Sequence, residues 1–280
     1  MHQYFKLILP AFVPALLWCL TSCNANNKSV KDISHFDKGT NYLYNNDFQN
    51  ATLEFQEAIR EDTANWKAYY QLASVQELTG DYQLAFQNFS KTVTLNPKFA
   101  LAYYSRSNIS GLVGDERSSQ RDLKKCIENK KDFFTAVLAK ARIDYSKGNL
   151  DEAIAGFTEA INLKPDNYLP YSLRGSCKYK KGDLTGALSD FDMEVKLAPT
   201  YVMGYLNRST IYAEQKNFRQ ALNDLNVANQ IDPLLSQTYI YRGFCYYSLN
   251  KKDSACLDFV IADKMHNTVA KDYLKKYCGR

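Results

Sequence analysis

Small and bulky apolar residues return along this chain every 34 positions from residue 32 onward, without an insertion. Units starting at residues 32, 66, 100, 134, 168, 202 and 236 bring every column into register. The eighth column holds Gly39, Ala73, Ser107, Ala141, Gly175, Ser209 and Gly243, and the twentieth holds Ala51, Ala85, Ser119, Ala153, Ala187, Ala221 and Ala255. All are small. The twenty-fourth column holds Phe55, Phe89, Leu123, Phe157, Phe191, Leu225 and Phe259. Small residues let two helices approach closely, and a bulky side chain one turn further on fills the space left between them. The pattern predicts two antiparallel helices per unit and seven hairpins in all.

Punctuation supports the same reading. The first helix of a unit ends at Gly80, Gly114, Gly148 or Gly182, or at Asn46 or Asn250, residues that tolerate a left-handed cap. Asp81, Asp115, Asn149 and Asp183 follow as N-caps of the second helix. Pro97, Pro165, Pro199 and Pro233 in the thirty-second column then end that helix. The third unit is weaker, with Ser110 and Gly111 in its first helix and a polar second helix from Glu116 to Lys131, and is expected to be a soft joint. A last helical segment from Val269 to Cys278 would cover the open side of the seventh hairpin.

This pattern resembles the tetratricopeptide repeat over residues 32 to about 269. The resemblance implies an all-α fold, an α-α superhelix (a TPR solenoid) of seven helical hairpins, with residues 270–280 as a C-terminal capping helix. In that family the first helices line a concave groove where partners bind. Carried over position by position, the lining becomes Phe36, Tyr44, Tyr70, Ser74, Tyr104, Asn108, Leu138, Arg142, Tyr145, Ser176, Tyr179, Thr210, Phe244 and Tyr247. Such a surface of Tyr and small polar residues suits an extended peptide or a partner helix. Tyr69, Tyr103, Tyr171, Tyr205 and Tyr239 recur in the fourth column and are expected to pack inside. Chaperone-tail clamps of the family use Lys and Asn in two groove positions; Tyr104 accompanies Asn108 here, so that specificity is not expected.

A base recurs in the seventh column, at Lys38, Arg106, Lys140, Arg174, Arg208 and Arg242, and an acid in the twenty-third, at Glu54, Asp122, Asp190, Asp224 and Asp258. The second unit loses both at once, to Leu72 and Asn88, while the fourth sets Lys140 opposite Gly156. Joint loss suggests contact. The pairs Arg106 with Asp122, Arg174 with Asp190, Arg208 with Asp224 and Arg242 with Asp258 are therefore read as structural bridges rather than a row of functional charges.

The N-terminus follows a different pattern. Lys6 precedes a 14-residue apolar run from Leu7 to Leu20 that is interrupted by Pro10 and Pro14, the size of a secretory signal and short of the roughly 20 residues of a spanning helix. Leu20-Thr21-Ser22-Cys23 resembles the lipobox of bacterial lipoproteins, which implies removal of residues 1–22 and acylation of Cys23; an ordinary secretory signal is the alternative. Residues 23–31, polar and Asn-rich, read as a tether.

Chemistry is sparse. His2, His35 and His266 lie too far apart in the array for a metal or catalytic cluster, and no phosphate loop, nucleophile elbow or His-Glu-x-x-His motif occurs, so neither enzyme activity, metal nor cofactor is expected. The +5 formal charge is modest and its bases alternate with acids, which argues against nucleic acid. Cys126, Cys177 and Cys245 fall on inward positions as small hydrophobes, leaving Cys256 and Cys278 as the pair for which a disulfide stays open. Glu194 breaks a column otherwise holding Ala58, Ala160, Ala228 and Ala262, either as a special site or with a packed stem and a locally bonded carboxylate. Two functions remain. One is a membrane-anchored adaptor of the bacterial cell envelope, as similar tetratricopeptide lipoproteins are for wall hydrolases, pilus components or outer-membrane assembly; the other is an envelope lipoprotein capturing carbohydrate or another small ligand. An outer membrane, on its periplasmic side, is the expected location.

Overall fold

The computed structural model describes residues 33–279, and the signal, Cys23 and the tether lie outside them. Seven hairpins follow one another: α1 (His35–Tyr44) with α2 (Phe48–Glu61), α3 (Trp66–Thr79) with α4 (Tyr82–Leu95), α5 (Ala100–Leu112) with α6 (Glu116–Asn129), α7 (Phe134–Ser146) with α8 (Leu150–Leu163), α9 (Tyr168–Lys180) with α10 (Leu184–Leu197), α11 (Val202–Glu214) with α12 (Phe218–Ile231), and α13 (Ser236–Ser248) with α14 (Lys252–Lys264). A short helix α15 (Ala270–Tyr273) runs into a π-helical turn at Leu274–Cys278 and closes the array. Among the described residues there is no strand, and no helix is long and apolar enough to cross a membrane. The fold is the all-α tetratricopeptide solenoid, in which each hairpin packs its second helix against the first helix of the next.

Packing explains the columns. A Cβ placed on Gly175 would come within 2.8 Å of the Phe191 ring, so the bulky twenty-fourth position rests directly on the bare eighth position of its own hairpin. Phe55, Phe89, Phe157 and Phe259 are wholly buried in equivalent places. Burying such a ring is worth about 1.5–3 kcal/mol, repeated in nearly every unit. The third and sixth units place Ser107 and Ser209 against Leu123 and Leu225 instead, a smaller ring-free filling.

The turns hold one surprise. Gly80, Gly114, Gly148 and Gly182 sit at positive φ, as do Asn46 and Asn250, but the sixth hairpin places Lys216 there at φ 59°. Asp47, Asp115 and Asp183 accept from backbone amides of the first turn as N-caps. Asp81 and Asn149 occupy the cap position without a side-chain cap bond. At the C-terminal end Cys256 and Cys278 form a disulfide with a Cα–Cα distance of 5.8 Å, which ties the cap to α14 beside the buried Phe259.

Candidate functional site: the inner groove and the joints beneath it

Each groove is only as well defined as the joints between its hairpins, and four joints carry one construction. The Nε and Nη2 atoms of Arg106 lie 2.7 Å from the two oxygens of Asp122. The pairs Arg174–Asp190, Arg208–Asp224 and Arg242–Asp258 repeat this bidentate geometry at 2.6–3.0 Å. Such forks are the strong form of a charge-assisted hydrogen bond. Bonding to Asp224 holds the Arg208 guanidinium well above its ordinary range, and Asp258 does the same for Arg242.

The remaining guanidinium nitrogen points backward. Nη1 of Arg106, Arg174, Arg208 and Arg242 reaches Ser90, Thr158, Asp192 and Asn226 at 3.1, 3.0, 2.9 and 3.3 Å. Each acceptor stands sixteen residues earlier, on the second helix of the preceding hairpin, just as each Asp stands sixteen later. One Arg thus fastens three helices. Below each guanidinium lies the ring of Tyr103, Tyr171, Tyr205 or Tyr239 at 5.2–5.9 Å. Three of those tyrosines, Tyr171, Tyr205 and Tyr239, donate their hydroxyls to the carbonyls of Pro165, Pro199 and Pro233 at 3.0–3.2 Å. Fourth-column tyrosines therefore clip the inter-hairpin loop as well as filling space.

The other units solve the problem differently. In the second, Asn88 donates to Gln76 at 2.8 Å beside buried Leu72. In the fourth, Lys140 turns to Asp144 on its own helix at 2.9 Å, because α7 and α8 are so close that a Cβ on Gly156 would lie 2.7 Å from Ala141 Cβ. In the first, Lys38 does not take Glu54 as the column suggested: the His35 ring does, at 2.6 Å. His35 stands in the fourth column, where its ring reaches the longer carboxylate directly.

The predicted groove residues divide into two groups. Toward the N-terminus the aromatic side chains, apart from exposed Tyr44, are seated in the joints. Phe36 rests on Phe55 at 5.9 Å, Tyr104 on Phe133 at 5.1 Å, and Tyr70 between Phe89 and Phe99 at 5.6 and 5.0 Å. Burial pushes the Tyr70 hydroxyl up to about 12. Leu138, placed in the groove by its column, is 9% exposed and joins the core around Phe134, Ala141 and Phe157, because a purely apolar side chain in that column sinks into the joint. Ser74, Ser176 and Thr210 return their hydroxyls to carbonyls one turn back on their own helices. Asn108 is half-buried, Arg142 and Tyr44 are exposed.

Toward the C-terminus the aromatics are more exposed. Phe244 and Tyr247 are exposed, as is Tyr241 on the same helix, and half-buried Tyr179 directs its hydroxyl to Glu214 at 3.1 Å. Tyr277 of the cap packs on Tyr247 at 4.5 Å and extends this wall, a contribution hidden from the repeat because the cap lies outside its register. Tyr145 carries Lys180 Nζ 4.1 Å above its ring.

Two acids are buried to different depths. Glu77 is half-buried, and desolvation pushes it up to about 7, so near neutrality it stands between its two protonation states. Glu194 is wholly buried where α9, α10 and α11 meet, and Gly204 opposite it leaves room for its stem, since a Cβ there would lie 3.2 Å from Glu194 Cγ. Its Oε2 accepts from Asn207 at 3.3 Å and its Oε1 has no partner, so burial raises its pKa despite the bond from Asn207. Cys126, Cys177 and Cys245 are free thiols in the core, pushed by burial up to about 12, 11 and 12. Among the described residues no cluster of His, Cys, Asp and Glu could hold a metal.

Residues 36–98 match the family described as Tetratricopeptide repeat, and residues 141–182 the family described as TPR repeat. No curated protein matches the chain. Of solved structures, the C-terminal part of a TPR repeat-containing protein from Cytophaga hutchinsonii is similar with a TM-score of 0.72 at 17% identity, over 86% of this chain and 99% of that one. The pilF protein of Pseudomonas aeruginosa has a TM-score of 0.62 at 13% identity, over 76% of this chain and 97% of its own. YrrB, described as a TPR protein with an unusual peptide-binding site, has a TM-score of 0.58 at 21% identity, over 64% of this chain and 92% of its own. Identities this low show the shared fold.

Proposed function

We propose that this array of tetratricopeptide hairpins is a protein-interaction scaffold of the bacterial envelope, held by an acylated Cys23 to the periplasmic side of an outer membrane, and that it takes an extended peptide or a helix in its inner groove. The aromatic wall of exposed Phe244 and Tyr247 with half-buried Tyr179 and Tyr277 carries the reading, because large rigid aromatic surface with hydroxyl handles binds peptide at low entropic cost. The fold supports protein binding as the general role. The open trough does not enclose a small ligand as ligand pockets do.

A joint Tyr179→Ala, Phe244→Ala and Tyr247→Ala variant, compared with wild type in pull-downs from envelope extracts, is expected to lose the captured protein while keeping its helical circular dichroism. Identical captured proteins for both forms would remove the groove from the mechanism, and binding to glycans alone would replace the adaptor with ligand capture. Cys23→Ala is expected to leave the membrane fraction, and an unchanged fraction and mass would end the lipid-anchor reading.

A further inference from the structure

The joint between the third and fourth hairpins departs from the stapled joints at every position of the staple at once. Val137 stands in the tyrosine column, Lys140 in that of the arginine, Gly156 in that of the aspartate, Lys124 in that of the backward acceptor and Lys131 in that of the proline. All five line one cleft of about 510 Å³ on the outer face, between α6 and α8 and floored by α7. Space that an Arg and its Tyr fill elsewhere is open here, because Lys140 turns away to Asp144 and position 156 has no side chain to bridge the gap.

The lips of this cleft differ in sign. Lys124 and Lys131 edge the α6 side together with Glu128, whose charge Lys125 pairs, and Glu152 and Glu159 edge the α8 side. Glu152 and Glu159 stand seven apart on α8, about two helical turns along one face, whereas Lys124 stands on α6 and Lys131 in the turn that follows it. All four are exposed. Lys125 and Glu128 pair with each other at 2.7 Å and Lys140 with Asp144 at 2.9 Å, whereas these four form no ion pair among the described residues. Between the lips lie half-buried Ile127, buried Val137 and the stem of Lys140, and small Ala155 lets a backbone come close.

We propose that this cleft is a second docking surface, on the face opposite the inner groove, and that its occupant is an amphipathic α-helix of a partner protein. The helix presents an apolar stripe to Ile127 and Val137, an acidic flank to Lys124 and Lys131 and a basic flank to Glu152 and Glu159. The α8 lip, marked by Glu152 and Glu159 two turns apart, matches the spacing of side chains on one face of a helix. Opposite signs on the lips select a helix whose flanks are also of opposite sign. The cleft is independent of the groove and of the anchor.

The test uses two fluorescent helical peptides with the same Leu stripe, one with Glu along one flank and Lys along the other, and one with Lys on both flanks. Wild-type protein is expected to prefer the mixed peptide by about tenfold in anisotropy titrations, and Lys124→Glu with Lys131→Glu is expected to reverse that preference. Ala155→Trp, at an exposed position, is expected to abolish binding of both peptides with the melting curve retained. Equal affinities of wild type and the double Glu variant overturn the proposal, as does undiminished binding by Ala155→Trp. A dimer in solution that Ala155→Trp dissociates also overturns it, by making a second copy of the chain the occupant.

Discussion

The joints entering the fifth, sixth and seventh hairpins and the joint entering the fourth have the same backbone and differ in what crosses them. In the first group an Arg bonds an Asp ahead and an acceptor behind, with a Tyr under its charge. At the fourth hairpin the crossing is mainly apolar, with Ile127 against the Phe134 and Leu138 cluster and exposed Lys147 reaching Gln120 at 2.8 Å. The repeat therefore fixes the shape of the array, and a separate set of columns fixes how firmly neighbouring hairpins hold together. In a solenoid, where each unit touches only its neighbours, such differences stay local.

The largest effect is expected where a staple is cut. Asp190→Ala leaves both Arg174 and Lys178 without their acid, and should cost about 3–5 kcal/mol. Lys140→Ala at the unstapled joint, where a 43% exposed side chain pairs within its own helix, should cost at most about 0.5 kcal/mol. Urea titrations followed by circular dichroism measure both, and equal losses would erase the distinction between the joints.

A smaller effect separates the fifth from the sixth hairpin by pH. Burial raises Glu194, so the folded protein keeps its proton where the unfolded chain has already lost it. The stability this confers is complete below the ordinary carboxylate value and is lost as pH rises through the raised one. Glu194→Gln keeps the shape without the charge, and should exceed wild type by about 1–3 kcal/mol in alkaline buffer while matching it near pH 4. Melting curves across that range decide, and a constant offset would contradict a buried titration.

The smallest effect concerns a turn. Lys216 holds positive φ where four other hairpins use glycine, and Lys216→Gly should stabilise by about 0.5–1 kcal/mol in calorimetry. A loss of stability would mean that the Lys side chain matters more than its backbone.

The hairpins could be read from the sequence because small, bulky and turn-forming residues each answer to one steric demand, repeated seven times. The forward pairs were visible for a related reason: Arg and Asp vary together. The backward contact was not, since Ser90, Thr158, Asp192 and Asn226 share only the ability to accept a hydrogen bond, and no single residue type marks the column. The groove was read by position, and position alone does not say how deeply a side chain sinks. Leu138 enters the core and Tyr70 wedges between rings, while Phe244 stays in solvent, according to the depth of each joint. Lys216 at positive φ and the buried Glu194 break local preferences, and only the surrounding packing reveals that they are tolerated.

The arginine that bonds sixteen residues ahead and sixteen behind also makes hairpins interchangeable. If residues 168–201 were excised, Arg208 would keep Asp224 and would meet Thr158, the same acceptor that Arg174 uses, in place of Asp192. The C-terminal hairpins are thus joined by a standard coupling, through which the array can lengthen or shorten by whole units of 34 residues without new chemistry at the seam. The joint between the third and fourth hairpins has no such coupling, and it divides the array into two stretches whose lengths are free to change separately.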